Sequence, residues 1–344
     1  MADISLLGWR SGRVSRFDGA EPARVARVDR GRLTVLGACG PARVVPSAAL
    51  YADDSGGPAV GDWVAVRGEV AVELLPRTSA FTRTAAGRTS APQVVAANMD
   101  AVLVVDSLAG PLRLTRIQRY LAVAWGSGAS PVVVLTKADL CDDDDAEVAA
   151  VRADAPGTHV LAVSSLTGQG VDAVAALLGP GCTGAMVGPS GVGKSSLLNA
   201  LTGGAVADTR EVRDDGRGRH TTTARQLHLL PGGGLLIDTP GMRELGLHDD
   251  ADGLDRAFAD VAEAAGQCRF RDCEHRTEPG CAVAAAIDDG VLDPDRLRSW
   301  RKLQRESERQ QARADARVRA TQQARAKALV RSVRTSRAGR GATR

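Results

Sequence analysis

One octapeptide limits what this chain can fold into more than any other stretch: Gly188-Pro189-Ser190-Gly191-Val192-Gly193-Lys194-Ser195. It satisfies G-x-x-x-x-G-K-[ST] at every fixed position. The apolar run Ala185-Met186-Val187 precedes it, and helical spacing from Ser195 to Leu201 follows. In such a strand–loop–helix unit the glycines let backbone N–H groups turn onto phosphate oxygens, and the helix N-terminus adds positive potential. Lys194 is expected to reach β- and γ-phosphates, and Ser195 to place its hydroxyl on Mg²⁺.

The surrounding sequence fits a parallel α/β sheet. Ala101 to Val105, Pro131 to Leu135, His159 to Val163 and Leu235 to Ile237 are short apolar runs. Helical spacing separates them at Leu112 to Trp125, Glu147 to Ala153 and Val171 to Leu178. Strands alternating with helices predict a parallel sheet, whose buried strands are apolar throughout.

Two of these runs end in residues suited to a nucleotide. Asp238-Thr239-Pro240-Gly241 closes the run Leu235 to Ile237. Asp238 suits a direct or water-mediated Mg²⁺ contact, and the Gly241 N–H can sense a γ-phosphate. Thr136-Lys137-Ala138-Asp139 closes the run Pro131 to Leu135 and matches the guanine-reading pattern [NT]-K-x-D. A carboxylate there accepts guanine N1–H and N2–H, a paired donor edge that adenine lacks. This argues against an ATPase. Ser164 and Ser165, after the run His159 to Val163, suit a neighbouring loop whose backbone meets guanine O6. Between the phosphate loop and Asp238, residues 210–223 are polar and Gly/Arg-rich. One of Thr221, Thr222 and Thr223, with Thr221 the first choice, is expected to meet Mg²⁺. In Ras-like GTPases the phosphate loop precedes the guanine motif; here it follows, so the domain is circularly permuted.

The flanks differ from this centre. In residues 1–80, Arg24 to Val28, Arg32 to Leu36 and Trp63 to Val66 read as short strands between Gly/Pro turns, a pattern for a small OB-like barrel. Such barrels serve as plain scaffolds or as oligonucleotide binders. Near the other end Cys268, Cys273, His275 and Cys281 lie within fourteen residues. Three thiolates and one imidazole suit a closed, structural Zn²⁺ site. The scattered Cys39, Cys141 and Cys182 carry no pattern. From Arg301 to Arg344 there are 14 Lys+Arg against 3 Asp+Glu, whereas residues 1–300 hold 30 against 38. A basic tail on an acidic body points to a phosphate-rich partner. No apolar run approaches the ~20 residues that span a bilayer. Met1-Ala2-Asp3-Ile4 opens no basic-then-apolar leader. A cytoplasmic protein, with no membrane partner and monomeric, is expected. The domains are expected to be a barrel over 1–82, the permuted GTPase over 83–247, a zinc-binding helical domain over 248–300 and a basic helix or tail over 301–344.

Barrel residues Gly61-Asp62-Trp63-Val64, permuted motifs and the Cys-Cys-His-Cys cluster together resemble the RsgA (YjeQ) family of ribosome-small-subunit-dependent GTPases. The resemblance covers nearly the whole chain. It implies a zinc-containing enzyme that hydrolyses GTP to GDP, binds the small ribosomal subunit and its rRNA late in maturation, and is stimulated by it. It carries nucleotide contacts onto Thr136 to Asp139 and onto Gly188 through Ser196. Zinc ligation carries onto Cys268, Cys273, His275 and Cys281. Met242 stands where many Ras-like GTPases place a water-orienting Gln, and the resemblance points instead to His220 as the catalytic group. Packing or RNA contact is the alternative role for His220. A competing expectation is an RNA-binding assembly factor in which nucleotide mainly gates affinity.

Overall fold

The computed structural model describes residues 3–10, 18–51, 56–84, 92–204, 225–239 and 251–312. Five strands form the N-terminal unit: β1 (Glu21–Asp29), β2 (Arg32–Gly37), β3 (Gly40–Pro46), β4 (Trp63–Arg67) and β5 (Val70–Leu74). Their hydrogen-bonded order is β1-β2-β3-β5-β4, and a β1–β4 pairing closes the ring. Inward-facing Val25, Leu33, Val35, Val44, Val64 and Ala71 fill it. Closure removes the exposed strand edges a five-stranded sheet would otherwise present. The expected barrel is therefore present. Its β3 and β5 escaped the sequence pattern, because Gly40 and Pro41 read as a turn yet begin a strand.

A two-stranded pair follows, β6 (Ala80–Thr84) with β7 (Pro92–Ala97). The boundary expected at 82/83 falls inside β6. The α/β unit then runs β8 (Ala101–Ser107), α1 (Leu114–Gly126), β9 (Ser130–Thr136), α2 (Asp144–Asp154), β10 (His159–Val163), α3 (Val171–Leu177), β11 (Thr183–Val187), α4 (Lys194–Thr202), β12 (Gln226–Leu229) and β13 (Leu235–Asp238). Its strand order is β10-β9-β8-β11-β13-β12, parallel except for β12. Side chains alternate across it. Val102, Val104, Val133 and Leu135 enter one core, and Leu103, Val105, Val132 and Val134 the other. That period of two on two covered faces is why these runs are wholly apolar. The acidic run at 142–145 starts a helix. Asp143 caps α2 through the Ala146 N–H, and Asp144, Asp145 and Glu147 occupy its first turn, where the helix dipole favours negative charge.

Barrel and α/β unit share one sheet. Arg27 of β1 pairs with Gln226 of β12, giving eleven continuous strands. Arg24, 1 % exposed, adds a second tie, donating to the carbonyls of Gly61 at 3.1 Å, Asn98 at 2.8 Å and Leu7.

The C-terminal unit contains α5 (Ala251–Ala257), α6 (Ala259–Gly266), α7 (Ala282–Asp288) and a helix over 294–312. It packs on α1. A Cβ at Gly253 would lie 2.4 Å from the Ala122 carbonyl, so only glycine permits this approach. The Arg256 guanidinium lies 3.9 Å from the Trp125 ring centroid. Arg296 joins this unit to the rest: it donates to Asp260 at 2.5 and 2.7 Å, to the Ala257 carbonyl at 3.1 Å and to the Asp154 carbonyl, over the Phe258 ring. Burial raises the Asp154 pKa, and Arg296 opposes that rise. Arg296→Ala would leave Asp154 without its cation. It is expected to cost about 3 kcal/mol, read as a lower thermal unfolding midpoint. No described helix is long and apolar enough to cross a membrane.

Candidate functional site

The strand order reverses between β8 and β11: the chain winds from β8 outward through β9 and β10, then resumes at β11 and winds the other way. In open α/β sheets ligands bind at the carboxyl ends beside such a point. The phosphate loop leaves β11 there. Gly188 adopts φ +148°, and a Cβ on it would stand 2.1 Å from the Val105 carbonyl. Gly193, at φ +96°, precedes α4 and would press a Cβ on the Thr136 side chain at 3.3 Å. The Lys194 ammonium donates to the carbonyls of Gly188 at 2.8 Å and Pro189 at 2.5 Å, which holds it over the loop. Lys194 and Ser195 open α4, and Ser196 follows them in its first turn.

Two further strand ends meet this loop. Asp238 ends β13 and is 8 % exposed. Burial raises its pKa, and the nearby Lys194 cation opposes the rise. The Thr239 hydroxyl donates to the Met186 carbonyl, which ties this strand end to β11. Thr136 ends β9, and its hydroxyl lies between the carbonyls of Asp106, at 3.0 Å, and Val192. The guanine-type motif and the phosphate loop are thus in contact. Lys137 takes a left-handed conformation, φ +59°, and starts the short turn Ala138–Leu140 that carries Asp139.

Ser164 is fully buried, and its hydroxyl donates to Asp139 Oδ1 at 2.5 Å. The same oxygen of Ser164 accepts the N–H groups of Leu166 at 3.3 Å and Thr167 at 3.2 Å. The side-chain role of Ser164 goes beyond the backbone role expected of this loop. A serine placed just after a strand beside the motif was the available signal for the side-chain role. Ser165 is half-buried next to it. Thr136 to Asp139, Ser164, the 188–195 loop and Asp238 therefore converge on one end of the sheet. His220, Thr221 and Gly241 lie outside the described residues, as does Met242.

The second candidate site is the cysteine cluster. The ligand atoms of Cys268, Cys273, His275 and Cys281 all lie within 4.8 Å of one another. A tetrahedral site with ~2.3 Å metal–sulfur and ~2.0 Å metal–nitrogen bonds has edges of roughly 3.8 Å (S–S) and 3.6 Å (S–N). The observed separations are 4.0 Å for Cys268 to Cys281, 3.5 Å for Cys268 to His275 Nδ1 and 3.7 Å for Cys281 to His275 Nδ1. The donor set fits a metal ion with His275 presenting Nδ1. Supporting groups surround it. Cys281 also caps α7 through the Ala284 N–H. His275 has φ +60°, and Arg301 donates to its carbonyl and to that of Glu274 at 3.1 Å. Backbone N–H groups, Glu278's own first and then those of Glu274, Arg276 and Thr277, hold the Glu278 carboxyl down to about 2.

Phosphate loop, guanine-type motif and strand-end aspartate on a permuted parallel sheet define a circularly permuted P-loop GTPase. Comparison with known proteins narrows the class. The RsgA GTPase family model matches residues 74–248. A small ribosomal subunit biogenesis GTPase RsgA from Streptomyces coelicolor is 48% identical over 335 residues, spanning 92% of this chain and 90% of that protein. One of the same description from Methanosarcina acetivorans is 44% identical over 79% of this chain and 78% of its own. The crystal structure of YjeQ from Thermotoga maritima superposes with a TM-score of 0.64 at 27% identity, covering 84% of this chain and 98% of that one. YloQ, described as a circularly permuted GTPase, shares the fold at a TM-score of 0.62 and 24% identity, over 87% of this chain and 99% of its own. This chain belongs to the RsgA GTPase family.

Proposed function

We propose that this chain binds the small ribosomal subunit through its rRNA, assists the subunit's late maturation, and hydrolyses GTP to GDP and phosphate when the subunit stimulates it. The observation that carries the nucleotide half of this reading is the Thr136–Val192 contact, which sets a guanine-type motif against a phosphate loop. The ribosomal half rests on relatives described as small ribosomal subunit biogenesis GTPases, one of them matched over 90% of its length. Asp139 reads the base, oriented by Ser164. Gly188 to Ser196 wrap the phosphates, and Lys194 neutralises them. Ser195, Thr221 and Asp238 would hold Mg²⁺, which when bound would supply positive charge against the phosphates, and Gly241 would sense the γ-phosphate.

The cysteine cluster holds one structural Zn²⁺, an assignment supported by edges that match four-coordinate zinc. The protein acts in the cytoplasm as a monomer. Its domains are proposed as the barrel, the permuted GTPase, a zinc-binding helical unit and a basic tail, near 1–82, 83–247, 248–300 and 301–344, with the first boundary moved outside β6.

The test is GTP hydrolysis with each purified ribosomal subunit. Turnover is expected to rise with the small subunit and to stay basal with the large one. Equal or absent stimulation would sink the ribosomal assignment. His220 positions the attacking water. His220→Ala is expected to keep GTP affinity and to lose roughly 10²-fold or more of the stimulated rate in the same assay.

A further inference from the structure

Neither nucleotide loop is held by its own residues alone. Between them lies a segment that no motif marks, the end of β8 and the turn towards α1. Its backbone touches both loops. The Val105 carbonyl packs against Gly188 so closely that a Cβ there would sit 2.1 Å away. The Asp106 carbonyl faces the Thr136 hydroxyl at 3.0 Å, and the Leu108 N–H donates to the Thr136 carbonyl at 2.8 Å. Residues 105–108 are therefore a platform under the phosphate loop on one side and the guanine-type motif on the other.

An ion pair anchors this platform to α1. Asp106 is 2 % exposed. Its carboxylate takes the Arg116 guanidinium in a fork, with Nη2 at 2.8 Å from each oxygen and Nε at 3.1 Å from Oδ2. It also accepts the Ser107 N–H at 2.8 Å. Arg116 sits in the first turn of α1, a helix with no side-chain cap and no acidic residue in that turn. Helix start and strand end are thus joined through this one fork. Replacing a buried ion pair by apolar residues is often neutral or stabilising. Stability alone gives little reason for such a pair, whereas its place beneath two binding loops does.

We infer that Asp106 and Arg116 are positioning residues for the nucleotide: their ion pair fixes the β8–α1 turn on which the phosphate loop and the guanine-reading motif both rest, and so sets guanine-nucleotide affinity. This rests on the GTP reading above. The pair acts through the backbone beneath Gly188 and Thr136. Its loss changes binding, and the chemical step is left alone.

The experiment is titration of the full-length protein with a fluorescent GDP analogue, alongside steady-state GTP hydrolysis and thermal unfolding, for wild type, Arg116→Met and Asp106→Asn. Arg116→Met is expected to raise the GDP Kd and the KM for GTP about tenfold while kcat at saturation stays within about twofold. If Arg116→Met does not fold, Asp106→Asn decides, with a severalfold rise in Kd supporting the proposal. A folded variant with wild-type Kd, or one that loses kcat at unchanged Kd, overturns it. Wild-type protein that binds no GDP would bring down this proposal together with the GTP reading, whereas the variant results bear on the ion pair alone.

Discussion

Asp139→Asn is expected to weaken GDP and GTP binding by roughly 10²- to 10³-fold, two charge-assisted hydrogen bonds being lost. On the proposed reading the carboxylate offers acceptors to guanine N1–H and N2–H. An amide replaces one acceptor with an N–H₂ that faces a donor, so the site then prefers a base with a carbonyl at that edge, as xanthine has. Ser164 sharpens the effect. Its hydroxyl, 2.5 Å from Oδ1 of Asp139, fixes the rotation of the side chain, so the amide that replaces the carboxylate has no free choice of orientation. Competition between guanosine and xanthosine diphosphates is the measurement. A variant that keeps wild-type preference would show that Asp139 does not read the base.

Loss of the metal is expected to be nearly as severe, and to act on stability. The loop between α6 and α7 buries little of its own: Phe270 is 43 % exposed, and its neighbours are mostly exposed too. Ligation is what folds such a segment, as in zinc-finger peptides, where the metal supplies about 10 kcal/mol or more at neutral pH. Cys281→Ser removes a ligand and weakens the cap of α7 together. A strong chelator, or this variant, is expected to lower the unfolding midpoint by roughly 10 °C and to release one metal ion per chain. A protein that holds no stoichiometric metal and unfolds unchanged would show that the cluster is only four neighbouring side chains.

Much of this architecture was legible in the sequence, for identifiable reasons. Parallel strands covered on their faces carry unbroken apolar runs, so the central residues of β8, β9, β10 and β13 stand out. The phosphate loop and guanine-type motif are legible because backbone geometry at Gly188 and the donor edge of a purine each leave few alternatives. The Cys/His spacing is legible because a tetrahedral ion needs four close donors. Other features leave no local trace. β3 opens with Gly40-Pro41, and its strand character comes from partners in β2 and β5. The Arg27–Gln226 pairing joins residues two hundred positions apart, and nothing near either one announces it. The Ser164–Asp139 and Arg116–Asp106 contacts depend on which loops the sheet brings together, which spacing along the chain does not encode. His220, Thr221 and Gly241, expected to act on the attacking water, Mg²⁺ and the γ-phosphate in turn, fall outside the described residues.

The permuted strand order also bears on how the chain comes off the ribosome that makes it. The barrel is contiguous, from Glu21 to Leu74, and all five of its own strands have emerged before β8 is made. The larger sheet has no such luck. β8 sits at its centre, yet its neighbour β11 is synthesised some eighty residues later, and β13 later still. Until then one edge of a strand that is apolar from Ala101 to Val105 stays bare, a hazard for pairing with the wrong partner. In the unpermuted order the phosphate-loop strand is made first. Here the nascent chain waits longest for the strand that completes its core.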